Sequence, residues 1–536
     1  MNIFLVEIAA ISPAGSLVTL RYSSGAAYMT QPSETPPNTA YEARLLSAGN
    51  YERHAWQRDT TRGAAQIGYG TVEIDNSDGR LDQYRDYGFD GQSLIIRFGD
   101  SAAAYPSGFT TLFSGTVEAL VFGWRTVTAL VRDMLGETFQ LPIQAVTYGG
   151  SNAGAVGVDG LPTDLQGKYK PILLGQVQNI SPPCVNTSTL IYQITDRTNI
   201  AIGAVSIAKV YDKGVALTAG TVQTSLALLV STSPTAGTYN VYDGPEGCFI
   251  RLGSTPQANV TVDASEGSAA SNTVAQIVSR ILTGPGGQPA ASIAGAANLD
   301  RLSSGPVGIW IDTGGAQLGD VINQVLMCCN GYLIDSRAGG WALGALQAPT
   351  GTANATISAY QIKDASGNGI NVITANDLGS DAPTTSSNTP AVTLPLYRVI
   401  MNYSLNNTVQ TEADIAGAGL SRLGFTKQQY RQVDVSNPAI KAVHALSPMV
   451  TFTSLYLNQA DALAEANRQL AMRSVHRDVI ELVVDLTDGL SIDLMMNVQL
   501  AIPRFDWLSK LFVVIGIVDD LGSTKNPAKT TLILWG

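Results

Sequence analysis

The sequence predicts a multi-domain, mainly β protein with a small α/β part. Its length, its composition and the placing of its helical periodicity carry that prediction. At 536 residues the chain exceeds what one hydrophobic core organises, so several domains are expected. Apolar residues make up 45% and charged residues only 14%, below the usual share of about one quarter. Fifty-three glycines, with many Ser, Thr and Asn, take the place of the missing charge. Such a chain is turn-rich, and its polar but weakly charged surface is cheap to desolvate in subunit contact. Helical spacing of apolar residues is confined to the stretch after residue 270 and to one segment near the C-terminus.

Residues 1–150 read as a β domain without a helix. Runs at 4–11 and 17–22 pair across Ser12-Pro-Ala-Gly15, and further strands fall at 66–74, 94–98, 113–121 and 125–131. The proline-rich piece 30–38 is neither helix nor central strand. Asp75-Asn-Ser-Asp-Gly79 invites a calcium-loop reading, but Ile74 then takes the first ligand position and Arg85 the twelfth, so a hairpin-type turn is expected. A Gly-, Asn- and Asp-rich loop at 151–165 marks a boundary. Residues 166–265 form a middle β domain, with runs at 191–194, 206–211, 237–242, 248–252 and 259–262.

Residues 266–350 form the small α/β domain. Val274, Ile277, Val278, Ile281 and Leu282 predict a helix over 272–283. Leu318, Val321, Ile322, Val325, Leu326 and Cys329 predict another over 316–330. A hairpin, 332–335 with 341–346, follows. Residues 366–394 read as an exposed polar linker. The C-terminal domain, 395–536, opens with a strand at 397–405, then mixed loop and helix to 450. A helix at 459–473, capped by Asn458, shows Leu463, Ala466 and Leu470 on one face. Strands follow at 479–486, 496–502, 511–517 and 530–535, with a turn at Asp488-Gly489. In the last strand Leu532 and Leu534 face one way and Ile533 and Trp535 the other. One face is expected on the 459–473 helix, the other on its own barrel or a neighbouring chain.

Chemistry is sparse. Cys184, Cys248, Cys328 and Cys329 match neither a disulfide framework nor a zinc spacing, and read as buried thiols. His54, His444 and His476 have no second ligand at metal spacing. Gly68-Tyr-Gly70 precedes a strand rather than a helix, so it cradles no phosphate. Carboxylate pairs such as Asp519/Asp520 and Asp82/Asp86 read as solvated turn residues. No catalytic, cofactor-binding or metal-binding residue is assigned, no cofactor is implied, and nothing argues for an enzyme. The net charge of -11 argues against a grip on nucleic acid through phosphates and is compatible with a surface that DNA slides past. The N-terminal run meets Glu7 too early for an export signal, and no apolar run reaches the roughly 18 residues of a membrane span. Synthesis and folding in a cytoplasm are therefore expected.

Three sets of motifs, in this order, carry a resemblance. The first is Gly70-Thr-Val-Glu-Ile-Asp-Asn-Ser-Asp-Gly-Arg-Leu-Asp82 with Tyr87-Gly-Phe-Asp-Gly91. The second is Lys168-Tyr-Lys-Pro-Ile-Leu-Leu-Gly-Gln-Val-Gln-Asn179 with Leu190-Ile-Tyr-Gln193 and Val210-Tyr-Asp-Lys-Gly-Val-Ala-Leu217. The third is residues 473–484 with Leu511-Phe-Val-Val-Ile-Gly516 and Thr531-Leu-Ile-Leu-Trp-Gly536. Together they resemble the baseplate hub, or tail tip, proteins of long-tailed bacteriophages and phage-like gene transfer particles. The resemblance implies two tube-like β-barrel hub domains per chain, with the other domains inserted, and a homotrimer forming a pseudo-sixfold ring. Implied partners are a distal tail or tail tube protein, a central fibre or spike, the tape measure protein, and DNA passing without specific binding. The implied place is the virion's tail tip or baseplate. Some related hubs hold an iron–sulfur cluster on clustered cysteines, from which this sequence departs. The other reading is a tail-associated or secreted carbohydrate-binding or carbohydrate-hydrolysing β protein, which needs an acidic pair in a cleft.

Overall fold

The computed structural model describes residues 2–57, 60–152, 157–337, 339–363, 370–373, 394–522 and 527–536. Besides the two-residue strand Tyr28–Met29, eight strands come first: β1 (Asn2–Ile11), β2 (Leu17–Ser24), β3 (Ala40–Ser47), β4 (Asn50–His54), β5 (Tyr69–Asp75), β6 (Ser93–Asp100), β7 (Phe109–Phe122) and β8 (Thr126–Asp133). β1 and β2 form the expected hairpin, with Ile11 opposite Leu17. The sheet runs β2-β1-β6-β7-β8-β5-β3, and β3 returns to pair with β2, closing a seven-stranded barrel. Closure removes the open edges a flat sheet would leave. Strict alternation on β8 turns Val127, Ala129 and Val131 inward, beside Val6, Ile74 and Ile96. β4 stays outside the ring.

The chain between 172 and 266 supplies four strands to one sheet and five to another around one core, Leu173, Val177 and Ile180 meeting Tyr192, Ile194 and Ile250. The first of these sheets is extended by Gly308–Ile311, whose Ile311 lies opposite Ile172. Behind it lies the largest core. It gathers α1 (Met134–Phe139), α2 (Val274–Thr283), α3 (Leu318–Leu326) and α4 (Gln459–Arg473) with a three-stranded sheet of Arg398–Tyr403, Arg431–Ser436 and Met449–Thr453. α2 and α3 bury every apolar position that the spacing marks. α1 corrects the helix-free reading of the N-terminal region. It is six residues long, too short to show periodicity, and Asp133 caps it by accepting from Gly136 N–H at 2.9 Å. The strands at 431 and 449 replace the mixed loop and helix expected there. Only Val433 of Arg431–Ser436 is buried, so no alternation marked that strand.

α4 is where the expected helix lies, but it packs differently. Its buried face is Ala462, Glu465, Ala466, Gln469, Leu470 and Arg473, while Leu463 remains 39% exposed. It covers the three-stranded sheet rather than the closing strand, and only Met472 reaches the C-terminal core. Asn458 donates to Asp461 at 3.0 Å instead of capping free amides.

The C-terminal sheet is a half-barrel of β9 (Ala355–Ser358), β10 (Val479–Asp485), β11 (Asn497–Ala501), β12 (Lys510–Asp520) and β13 (Lys529–Trp535), in the order β9-β11-β12-β13-β10. Ile362–Lys363 and Ile370–Ile373 both pair with β10. Of the expected linker 366–394, residues 370–373 and 394 are described and the rest lies outside the described residues. β13 sits between β10 and β12, Leu532 facing Leu482 on one side and Ile517 on the other, with 532–535 fully buried.

Candidate functional site, the seam between the two barrels

The half-barrel has a vacant edge. β12 runs eleven residues, and β11 pairs only with its first part, opposite 510–513. β4 fills the remainder, with Arg53 opposite Ile517 and His54 opposite Gly516. Gly516 is required there, because a Cβ would stand 2.4 Å from the His54 ring. The chain enters β4 from the closed barrel, where Tyr51 stacks on Phe113 at 4.4 Å. It leaves into the half-barrel core through Ala55 and Trp56, whose indole N–H donates to Gly331 O at 3.1 Å. Further on, Thr61 O accepts from Asn330 (2.8 Å) and Thr61 Oγ1 accepts from Arg473 (3.0 Å), which fastens the segment to α3's end and to α4.

A buried knot of charge lies across this seam. Arg53 Nη2 donates to Asp493 Oδ1 at 2.7 Å, and Nη1 to the Asp335 carbonyl at 3.1 Å. Arg337 grips Asp519 with both terminal nitrogens, at 2.8 and 3.1 Å, and gives its backbone N–H to Asp493 at 2.9 Å. Thr530 on β13 donates to the same Asp519 at 2.8 Å. The closed barrel, the Gly331–Asp335/Trp341–Ala345 hairpin and the half-barrel therefore meet on two guanidinium groups. Burial opposes the Arg53 charge, but Asp493, Asp335 and Asp519 hold it above the ordinary arginine value. Burial also works against ionised Asp493, yet Arg53 and two backbone N–H groups keep its carboxyl below the usual range. Asp335 goes the other way: burial, with Asp493 beside it, raises it against the pull of Arg53.

Asp133 completes the group from the barrel side, accepting from Gly68 N–H at 2.6 Å and Gly136 N–H at 2.9 Å. Burial first, then the charge on Asp335, pushes it up to about 7. A carboxyl raised on folding favours the protonated native state. Its contribution to stability is whole at low pH and is lost as pH rises through about 7. Stability read by thermal unfolding is expected to fall from about pH 5 to about pH 8. Asp133→Asn should flatten that slope, and a slope unchanged in Asp133→Asn counts against the assignment.

A second polar belt joins α4 to the α/β hairpin. Arg468 donates to Cys329 O and Leu346 O, both at 2.6 Å, and pairs with Glu465 at 2.7 Å. The cysteines are free thiols, three buried and Cys184 half-buried. Burial pushes Cys328 up to about 12, and its sulfur accepts from Leu455 N–H at 3.1 Å. Among the described residues no His, Cys, Asp and Glu cluster has metal-binding geometry. His476 stands 3.6 Å from Asp478 beyond the end of α4. Asp75–Gly79 is a turn leading into a 3-10 helix, with Asp78 paired to Arg44 at 2.7 Å. Asp519 corrects the solvated-turn reading: it lies inside β12, 2% exposed, as the partner of Arg337. Arg53, Trp56, Arg337 and Asp493 went unmarked in the sequence, because isolated polar residues without a motif carry no local signal.

No protein-family model and no curated protein matches the chain. Several solved structures are similar. A tail protein from Neisseria meningitidis is 9% identical, TM-score 0.41, the match covering 100% of this chain and 96% of that one. A component of a native gene transfer agent virion is 12% identical, TM-score 0.37, over 72% of this chain and 90% of that one. An Escherichia coli type VI secretion component, itself likened to the T4 tail proteins gp27 and gp5, is 7% identical, TM-score 0.31, over 92% and 73%. A tail protein and a component of a gene transfer agent are thus among the structures this chain is similar to.

Proposed function

We propose that this chain is a structural baseplate hub protein of a bacteriophage tail. Three copies form a ring that adapts a sixfold tail tube or distal tail protein to a threefold fibre or spike, and that lines the path of ejected DNA. The observation that carries this reading is the pairing, within one chain, of a closed barrel with a half-barrel whose sheet is completed by β4, the strand that lies outside the barrel's ring. Two barrel-like modules held in one orientation, taken three times, supply six positions around a channel. A net charge of -11 suits a surface past which DNA slides without sticking. The ordered motifs of the sequence support the same reading, and the tape measure protein is a further expected neighbour.

Light scattering tests it. The expected species is three times the 56.3 kDa chain, or a monomer that converts to it on concentration, seen by electron microscopy as a threefold ring. A symmetric dimer stable at every concentration overturns the proposal.

A further inference from the structure

Two surface features remain outside the seam. The first is a groove of about 1170 Å3 between the far end of the β7–β8 hairpin and the 75–79 turn. Gly123 N–H donates to Thr126 O and Asn76 N–H to Arg125 O, both at 2.8 Å, so hairpin tip and turn are one body. Asp78, Asp82, Asp90 and Glu118 line it together with Arg85. Asp78 is engaged by Arg44, whereas Asp90 and Glu118 lie exposed, Glu118 at a bulge in β7. At the rim Trp124 is 94% exposed, with Val121 exposed beside it. The second feature is the segment 437–449. It holds no acidic residue, carries Lys441 and His444, and leaves Val443 79% and Leu446 82% exposed. It is held in shape: Asn437 caps the helix Pro438–Val443, Lys441 lies 4.4 Å over the Tyr397 ring, and Ser447 donates to Pro395 O.

We propose that the 437–449 patch of one copy docks in the Trp124 groove of the next copy in the ring. The cationic, apolar segment complements the acidic groove and its indole rim, the pairing that makes a central anchor in protein interfaces. Both surfaces are exposed within a single chain, so neither covers the other there. A contact between two unlike surfaces is head-to-tail, and such contacts build a ring when the rotation between copies closes. The proposal rests on the trimeric reading above and names the surfaces that make it.

Trp124→Ala, Glu118→Lys and Leu446→Glu each alter an exposed side chain, so the unfolding midpoint of dilute, monomeric protein should stay at the wild-type value. Each should weaken trimer formation, read by light scattering, by about thirtyfold or more in dissociation constant. An equimolar mixture of Trp124→Ala and Leu446→Glu chains keeps one intact groove and one intact patch per pair, and should stop at a dimer of the 56.3 kDa chain. A wild-type trimer whose variants trimerise undiminished overturns the docking and leaves the hub reading standing. A wild-type chain that never leaves the monomer, or forms a symmetric dimer, overturns both. Quenching of the Trp124 fluorescence by peptidoglycan fragments in trimer-competent protein, absent in Trp124→Ala, assigns the groove to a sugar and also overturns the docking.

Discussion

Removing residues 532–536 is expected to yield a chain that is insoluble or fails to assemble. Leu532, Ile533, Leu534 and Trp535 are each fully buried. Exposing a large apolar side chain costs about 2–3 kcal/mol, so the four together cost on the order of 10 kcal/mol. That rivals the whole stability of an ordinary domain, about 5–15 kcal/mol. The loss also strips ladder partners from β10 and β12 at once, leaving two sticky edges in the half-barrel. Asp478 and Gly536, which exchange backbone hydrogen bonds at 2.7 and 3.0 Å, lose that closure too. Soluble yield and incorporation into tails are the measurements. A truncated chain that stays soluble and assembles would show that the half-barrel does not depend on its central strand.

The second large effect is expected at the knot. Arg53→Met leaves the Asp493 carboxylate and the Asp335 carbonyl in a dry seam without their cation. Breaking one side of a buried ion pair costs about 3–5 kcal/mol. The loss should appear as a lowered unfolding midpoint and as faster proteolysis within 50–65, because β4 then loses its charged clasp on Asp493 and on the Asp335 carbonyl. Arg398→Met serves as the contrast. It breaks a pair with Asp434 on the surface, where water screens the charges, and should leave the midpoint unchanged. Equal losses in the two variants would mean that the knot is no more than ordinary surface charge.

The sequence by itself determined what is local. The hairpin of β1 and β2 followed from two strand-forming runs on either side of a Pro-Ala-Gly turn. α2 and α3 followed from apolar residues at helical spacing, and the two buried faces of β13 from the unbroken apolar run 532–535. These signals depend only on which residues fall on one face of an element. Tertiary structure alone decided which faces meet. Nothing in Asn50-Tyr-Glu-Arg-His54 announces that the segment leaves its own barrel to complete another sheet, because backbone hydrogen-bond groups are identical at every residue and their partner is chosen by the vacancy beside β12. α4 has the predicted helical period, yet its small residues fit a different sheet from the one that follows it in the chain. Nor does sequence proximity balance the buried charges: Arg53 finds its partners 282 and 440 residues away. A buried charge is stabilised by whatever the fold brings within about 4 Å, and that distance has no counterpart along the chain.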